Sequence, residues 1–186
     1  MTNIDAENLA FAIKDAEYAF RLLEFSIRVM NYIDLDQVDL NTFGQETTIL
    51  LDEENVTFDD GYFSSRDNAV LVSQMAVGAA FGASAIALDN VIEATGRNRN
   101  PDSTAEIDQL WAVIYAVRNA FAHGIAKPIW VIKEKYRREI ELTLDGKTVM
   151  IDFSNLDGQS FEYAHLSGFG NWLRIKDRVF ELVQQQ

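Results

Sequence analysis

The chain has 186 residues, 48% of them hydrophobic, and a net charge of −13, which suits one globular domain over 1–186 with a full core. It has no cysteine, which excludes disulfides, zinc–thiolate centres and thiol nucleophiles. Residues 1–25 lack a basic stretch followed by an apolar one, so no secretory signal is read there and the expected location is cytoplasmic.

Charge is unevenly placed. Residues 1–96 hold four Lys/Arg and seventeen Asp/Glu, whereas residues 97–186 hold twelve of each. An acidic total ordinarily argues against a phosphate partner, but the excess lies wholly in the first half. There it reads either as a solvated surface or as a face for a basic partner protein.

In chain order, residues 5–32 read as a long amphipathic helix. Phe11, Tyr18, Leu22, Phe25 and Val29 recur at spacings of three, four and seven, with charged residues between them. The segment 33–64 is an acidic, less regular insert, expected to hold a short helix and a small hairpin. Its carboxylates Asp34, Asp36 and Asp39 lack the glycine and the distal Glu of a calcium loop, so no metal site is expected.

Residues 65–95 predict a second long helix, opened by Ser65 or Asp67 and closed by Gly96. Positions 69–88 carry no charge and include Gly78-x-x-x-Gly82, a length and spacing that fit a transmembrane dimerisation helix. Ser73, Gln74 and Ser84 interrupt the run and no basic cluster flanks it. The expectation is therefore no membrane, but a buried central helix whose small residues admit a neighbouring helix or a second subunit.

After the loop 96–102, Ser103-Thr-Ala-Glu106 has the form of a capping box opening a third helix over about 104–123. Gly124 is placed to end that helix, with Pro128 beyond it. A β-hairpin over about 138–153 turns at Asp145-Gly146, a pair suited to a type I′ turn. That register sets Leu142 opposite Val149 and Ile140 opposite Ile151, giving one apolar face. A turn-rich segment leads to a last helix, 170–184, with Trp172, Ile175, Val179 and Leu182 on one side. The expected fold class is all-α: an antiparallel helical bundle of four to five helices with a β-hairpin inserted before the C-terminal helix.

The end of the third helix carries the chemistry. Leu110, Val113, Val117 and Phe121 make a core stripe, while Trp111, Tyr115, Arg118 and Ala122 form a second line beside it. Arg118 thus continues an aromatic line and leaves the core stripe intact. Asn119 and His123, four apart, should be surface neighbours. Arg118 and His123 are five apart, roughly 140° around an ideal helix, so they converge through a long Arg side chain, through fraying at Gly124, or between two chains. A histidine in the last turn feels the negative end of the helix dipole, which favours its protonated form near neutral pH. Beside it, a permanent cation can stabilise charge developing on a phosphoryl group, and an amide can orient the imidazole. Plainer roles fit the same residues: His123 as a cap on free carbonyls, Arg118 paired with an acid of the first half, Asn119 as a local cap.

The string Arg118-Asn119-Ala-Phe-Ala-His123 resembles the signature of the HEPN superfamily, an Arg followed four to six residues later by His with a polar residue directly after the Arg. The resemblance covers the motif and the coarse helical pattern; the acidic insert and the hairpin have no match in it. It implies a metal-independent endoribonuclease of the toxin–antitoxin or defence type, with no cofactor. It also implies a homodimer that brings two motifs to one cleft, an RNA substrate, and an antitoxin or regulatory protein as a further partner. Arg118 would stabilise the transition state, His123 would be general acid/base, and Asn119 would support it. Some members are non-catalytic, so a helical dimer serving as a protein-binding or nucleotide-binding module is the alternative.

Downstream of His123, Lys127, Lys133, Lys135, Arg137 and Arg138 form the chain's basic cluster. They could track an RNA backbone together with Tyr115, with Tyr136 or Trp130 as a stacking face; the same run could equally be a solvated strand entry balanced by Glu134 and Glu139. His165 is expected to be structural rather than a second proton-transfer group.

Overall fold

The computed structural model of the protein describes residues 3–58, 61–122 and 124–185. It is mostly helical, with five α-helices and two small β-hairpins. In order these are α1 (Asn3–Asp34), α2 (Leu40–Phe43), β1 (Thr47–Leu51), β2 (Glu54–Phe58), α3 (Arg66–Glu93), α4 (Glu106–Ala122), β3 (Glu139–Leu144), β4 (Lys147–Asp152) and α5 (Phe169–Gln184). Among the described residues one helix, α3, is long and apolar enough to cross a membrane. Helices α1, α4 and α5 all pack against it, which accounts for its apolar residues on those sides, while Leu71, Met75 and Ile86 remain exposed. Its small residues serve that packing. A Cβ on Gly82 would stand 3.0 Å from Phe121 Cβ, and one on Gly78 would stand 3.1 Å from the Ile125 carbonyl. The Gly-x-x-x-Gly pair therefore seats the end of α4 within the chain.

The aromatic centre is Phe81 on α3, 5.0 Å from the Trp172 ring and 5.3 Å from Phe121. Burying Trp172 leaves its indole N–H in need of an acceptor, and Ser84 supplies one at 2.9 Å while its own hydroxyl donates to the Phe81 carbonyl at 2.7 Å. This joins α5 to α3. Arg178 then joins α5 to α4 through both carboxylate oxygens of Glu106, at 2.6 and 2.7 Å.

That last pair corrects the expected capping box. Glu106 is the first residue of α4 and is spent on Arg178, and Ser103 lies before the helix, where its hydroxyl accepts from the Ala105 amide at 3.1 Å and donates to Asp108 at 2.5 Å. A second correction concerns α1. Phe11, Tyr18, Leu22 and Phe25 are exposed, and the buried line is Leu9, Ala12, Ala16, Phe20, Leu23 and Ile33. The helix carries two apolar lines, and the one with small residues at 12 and 16 is the one that lets α3 approach.

The third-helix stripe is as expected, with Leu110, Val113, Val117 and Phe121 all buried. So is the hairpin β3–β4: Leu142 faces Val149, Ile140 faces Ile151, and Asp145 and Gly146 turn at φ 51° and 71°. On α5, Trp172, Ile175 and Val179 are buried and Val183 completes the line, with Leu182 partly covered beside it.

Candidate functional site

Helix α4 presents Trp111, Tyr115 and Arg118 along one side, one turn apart, toward the C-terminal half of α3 and the loop after it. What they meet there is Asp89. This carboxylate is fully buried, the one such carboxylate among the described residues. A buried carboxylate is tolerated only if its oxygens are satisfied. The Trp111 indole donates to Oδ1 at 2.7 Å, Arg99 reaches both oxygens at 2.8 and 2.7 Å, and Arg118 donates to Oδ2. Arg118 remains 37% exposed on its outer side.

Arg99 is shared further. It pairs with Glu93 at 2.5 Å, and its guanidinium lies 5.1 Å from the Trp111 ring and 4.4 Å from the Tyr115 ring. Lys133 approaches the same Tyr115 ring at 5.6 Å, and the Tyr136 ring lies 5.5 Å from it. The Asn119 side chain and the Lys133 ammonium, both interacting with the Tyr115 hydroxyl, hold that phenol below its ordinary value. The same contact holds Lys133 above the usual range. Tyr136 behaves oppositely, because burial pushes its phenol up.

Arg118, Asn119, Tyr115 and Lys133 therefore fall in one patch, and Arg99 and Asp89 belong to it although the motif does not include them. Three cations stand around one inward-facing buried acid and one outer acid, Glu93, so the patch is cationic on a chain that is acidic overall. Arg118 and Lys133 keep solvent-exposed surface on its outer side. A concavity of about 890 Å³ lies elsewhere, between α1 and α5, lined by Phe20, Ile27, Phe169, Leu173 and Phe180 among others.

His123 lies outside the described residues. Lys127 and Lys135 are exposed, Lys135 at 5.4 Å over the neighbouring Tyr136 ring. Arg137 is tied inward, its Nε to the Ile132 carbonyl at 3.1 Å and its outer nitrogen to Asp157, so it braces a loop rather than facing a groove. Arg138 is partly buried, with Nε and one terminal nitrogen lacking a hydrogen-bond partner. The expected stacking faces are corrected. Trp130 is fully buried, Tyr136 nearly so, and neither ring can receive a base without opening the core. His165 is structural, as expected: its Nδ1 accepts from the Trp130 indole at 2.9 Å and from the Glu162 amide at 3.2 Å.

The three acids that open the insert, Asp34, Asp36 and Asp39, are held locally. Arg66 bonds Asp36 at 2.9 Å and the Asp34 carbonyl at 2.9 Å, and Asp39 caps α2 by accepting from Asn41 at 3.0 Å and from the Thr42 hydroxyl at 2.8 Å. Among the described residues no three metal-ligating side chains converge.

Sequence reasoning missed Asp89 and Arg99, although a signal for the first was present. Asp89 is the first charge after the uncharged run 69–88, and an acid on so apolar a helix needs a cation. Arg99 sits in an irregular loop, where spacing says nothing about direction. No family model, no curated protein and no solved structure matches the chain.

Proposed function

We propose that the chain is a HEPN-like, metal-independent endoribonuclease: a cytoplasmic antiparallel helical bundle that works as a homodimer on single-stranded or loop RNA. The observation that carries this reading is the gathering of Arg118, Asn119, Tyr115, Lys133 and Arg99 over the buried Asp89. Arg118 and Arg99 set a fixed positive charge where a scissile phosphate would sit, and Asp89 holds both guanidiniums without entering solvent. His123 would take the 2′-hydroxyl proton or give one to the leaving 5′-oxygen, and Asn119 would orient substrate or imidazole.

The dimer is supported by the exposed apolar residues of α1 together with Met75 and Ile86 of α3. Ile86 stands on the side of α3 that faces Tyr18 and Leu22 of α1, so these residues form one continuous apolar surface for a second copy. One specific observation favours the other reading, a non-catalytic binding module. Arg118 is already paired with Asp89, as a purely structural arginine would be.

The test is cleavage of an unstructured RNA by purified protein in excess chelator. Wild type is expected to cut, and His123→Ala to lose on the order of a hundredfold or more. Arg118→Lys, which keeps a cation for Asp89 and so the fold, should lose a comparable factor. Undiminished cleavage by His123→Ala would end the assignment. Absence of turnover in all three proteins, with the dimer intact, would favour the binding module.

A further inference from the structure

The hairpin β1–β2 has an apolar face that none of the described residues covers. Its register pairs Thr47 with Phe58, Ile49 with Val56 and Leu51 with Glu54, so Ile49, Leu51, Val56 and Phe58 share one side of the sheet. Ile49 is 39% exposed, Leu51 50% and Phe58 55%. Among the described residues the two strands pair only with each other, and a lone two-stranded hairpin is marginal in water.

Yet the hairpin is mounted firmly rather than left on a free tether. Gly44 at its base lies so close to the following turn that a Cβ would stand 2.5 Å from the Ser64 backbone nitrogen. The Gly61 amide donates to the Gly44 carbonyl at 2.8 Å, and the Phe43 and Phe63 rings meet at 5.4 Å. Arg66 fixes the approach through Asp34 and Asp36. Such a mount holds the apolar face outward.

Charge selects what can cover it. Residues 33–64 contain nine Asp/Glu and no Lys or Arg, and Glu46, Asp52, Glu53 and Glu54 at the rim of the hairpin are all exposed. A second copy would bring the same acids against these. An anionic lipid surface or a nucleic acid would be repelled in the same way. We propose that this face seats a lysine- and arginine-rich amphipathic segment of a partner protein, with apolar side chains on Ile49, Leu51, Val56 and Phe58 and cations against the acidic rim. The site is remote in sequence from the cationic patch and does not depend on its chemistry.

The test uses the full chain and a labelled synthetic peptide of Leu and Lys in amphipathic helical order, about 18 residues or five turns long. Binding should weaken with salt, and Ile49→Thr/Leu51→Thr should weaken it on the order of tenfold or more. Threonine keeps strand propensity at both positions, and Phe58→Thr is a second, independent removal from the same face. Unchanged fluorescence of Trp111, Trp130 and Trp172, all in the core, verifies the body, and unchanged amide-exchange protection across Thr47–Phe58 verifies that the hairpin itself stays paired in the variants. A peptide of the same composition in scrambled order should bind more weakly, and one with Glu for Lys should not bind. Equal affinity for the double variant, or for the scrambled peptide, would overturn the proposal. So would self-association or anionic-vesicle binding that the double variant abolishes, since either would identify a different occupant.

Discussion

Along β3, exposed residues alternate with Ile140, Leu142 and Leu144, none more than 1% exposed, whereas all five residues of β1 are exposed. Both hairpins are antiparallel, have matched strands and carry an apolar set on one face. Both turn through two residues of positive φ, Asp145-Gly146 in one and Asp52-Glu53 in the other. The difference is the neighbour. β3 rests on α4 and α5, and the Trp130, Phe153 and Phe161 rings pack beside it in the same core. β1–β2 leaves the body on an acidic arm and meets none of these. Alternation thus decides which side of a strand is apolar, and the fold decides whether that side is covered.

The contrast between body and arm can be broken most forcefully through their charges. Asp89→Ala removes the buried carboxylate between Arg99 and Arg118 and should cost about 3–5 kcal/mol, read by urea denaturation followed through tryptophan fluorescence. Arg66→Ala, which frees the exposed Asp34 and Asp36, should cost less than about 1 kcal/mol in the same experiment. If the two losses were equal, the arm would be contributing to the body.

Apolar truncation sharpens the same point. Leu142→Ala should destabilise by about 2–5 kcal/mol through the lost contacts and the cavity left behind. Leu51→Ala, on the uncovered face, should change global stability by less than about 0.5 kcal/mol. A large loss from Leu51→Ala in isolated protein would mean that the arm folds back onto the body in solution.

A smaller effect is expected at the turns. Glu53 holds φ 72° where the covered hairpin has Gly146, and a left-handed conformation costs a side-chain-bearing residue about 1 kcal/mol. Glu53→Gly should slow amide exchange across Thr47–Phe58 by the equivalent of about 0.5–1 kcal/mol. The thermal midpoint of the body should stay where it is.

The smallest effect is at alkaline pH and belongs to the body alone. Tyr115 is held below the ordinary tyrosine value of about 10 by Asn119 and Lys133. It should ionise before Tyr136 and Tyr163, both raised by burial. Its folded value is the lower one, so it adds stability as pH rises through that value, while the two buried phenols remove stability at higher pH. Absorbance-detected titration should show the early component, and Lys133→Ala should move it upward.

Periodicity in the sequence located every long helix to within a few residues, because an apolar stripe or a charge-free run repeats along each of them. Asp145-Gly146 fixed the register of β3–β4 because a two-residue turn of positive φ permits one pairing. Periodicity was ambiguous on α1, where two apolar lines compete and the larger side chains stand on the side that remains outside. Local signals failed where the partner is distant in sequence. Glu106 looked like a capping residue, but Arg178 takes it across 72 residues. Tyr136 and Trp130 looked like stacking faces, but the core has enclosed them.

By itself, then, the sequence determined the helices, the covered hairpin, the separation of charge between the two halves, and the line of Trp111, Tyr115 and Arg118 on α4. These are properties of residues near one another along the chain, read through a helical or strand repeat. Only the tertiary structure decided that Arg118 meets Asp89, that Arg99 shares that carboxylate, and that one hairpin is buried while the other stands bare. Each of those depends on which surfaces are brought together from distant segments. No local repeat encodes that, because burial and ion pairing are settled by what arrives from elsewhere in the chain.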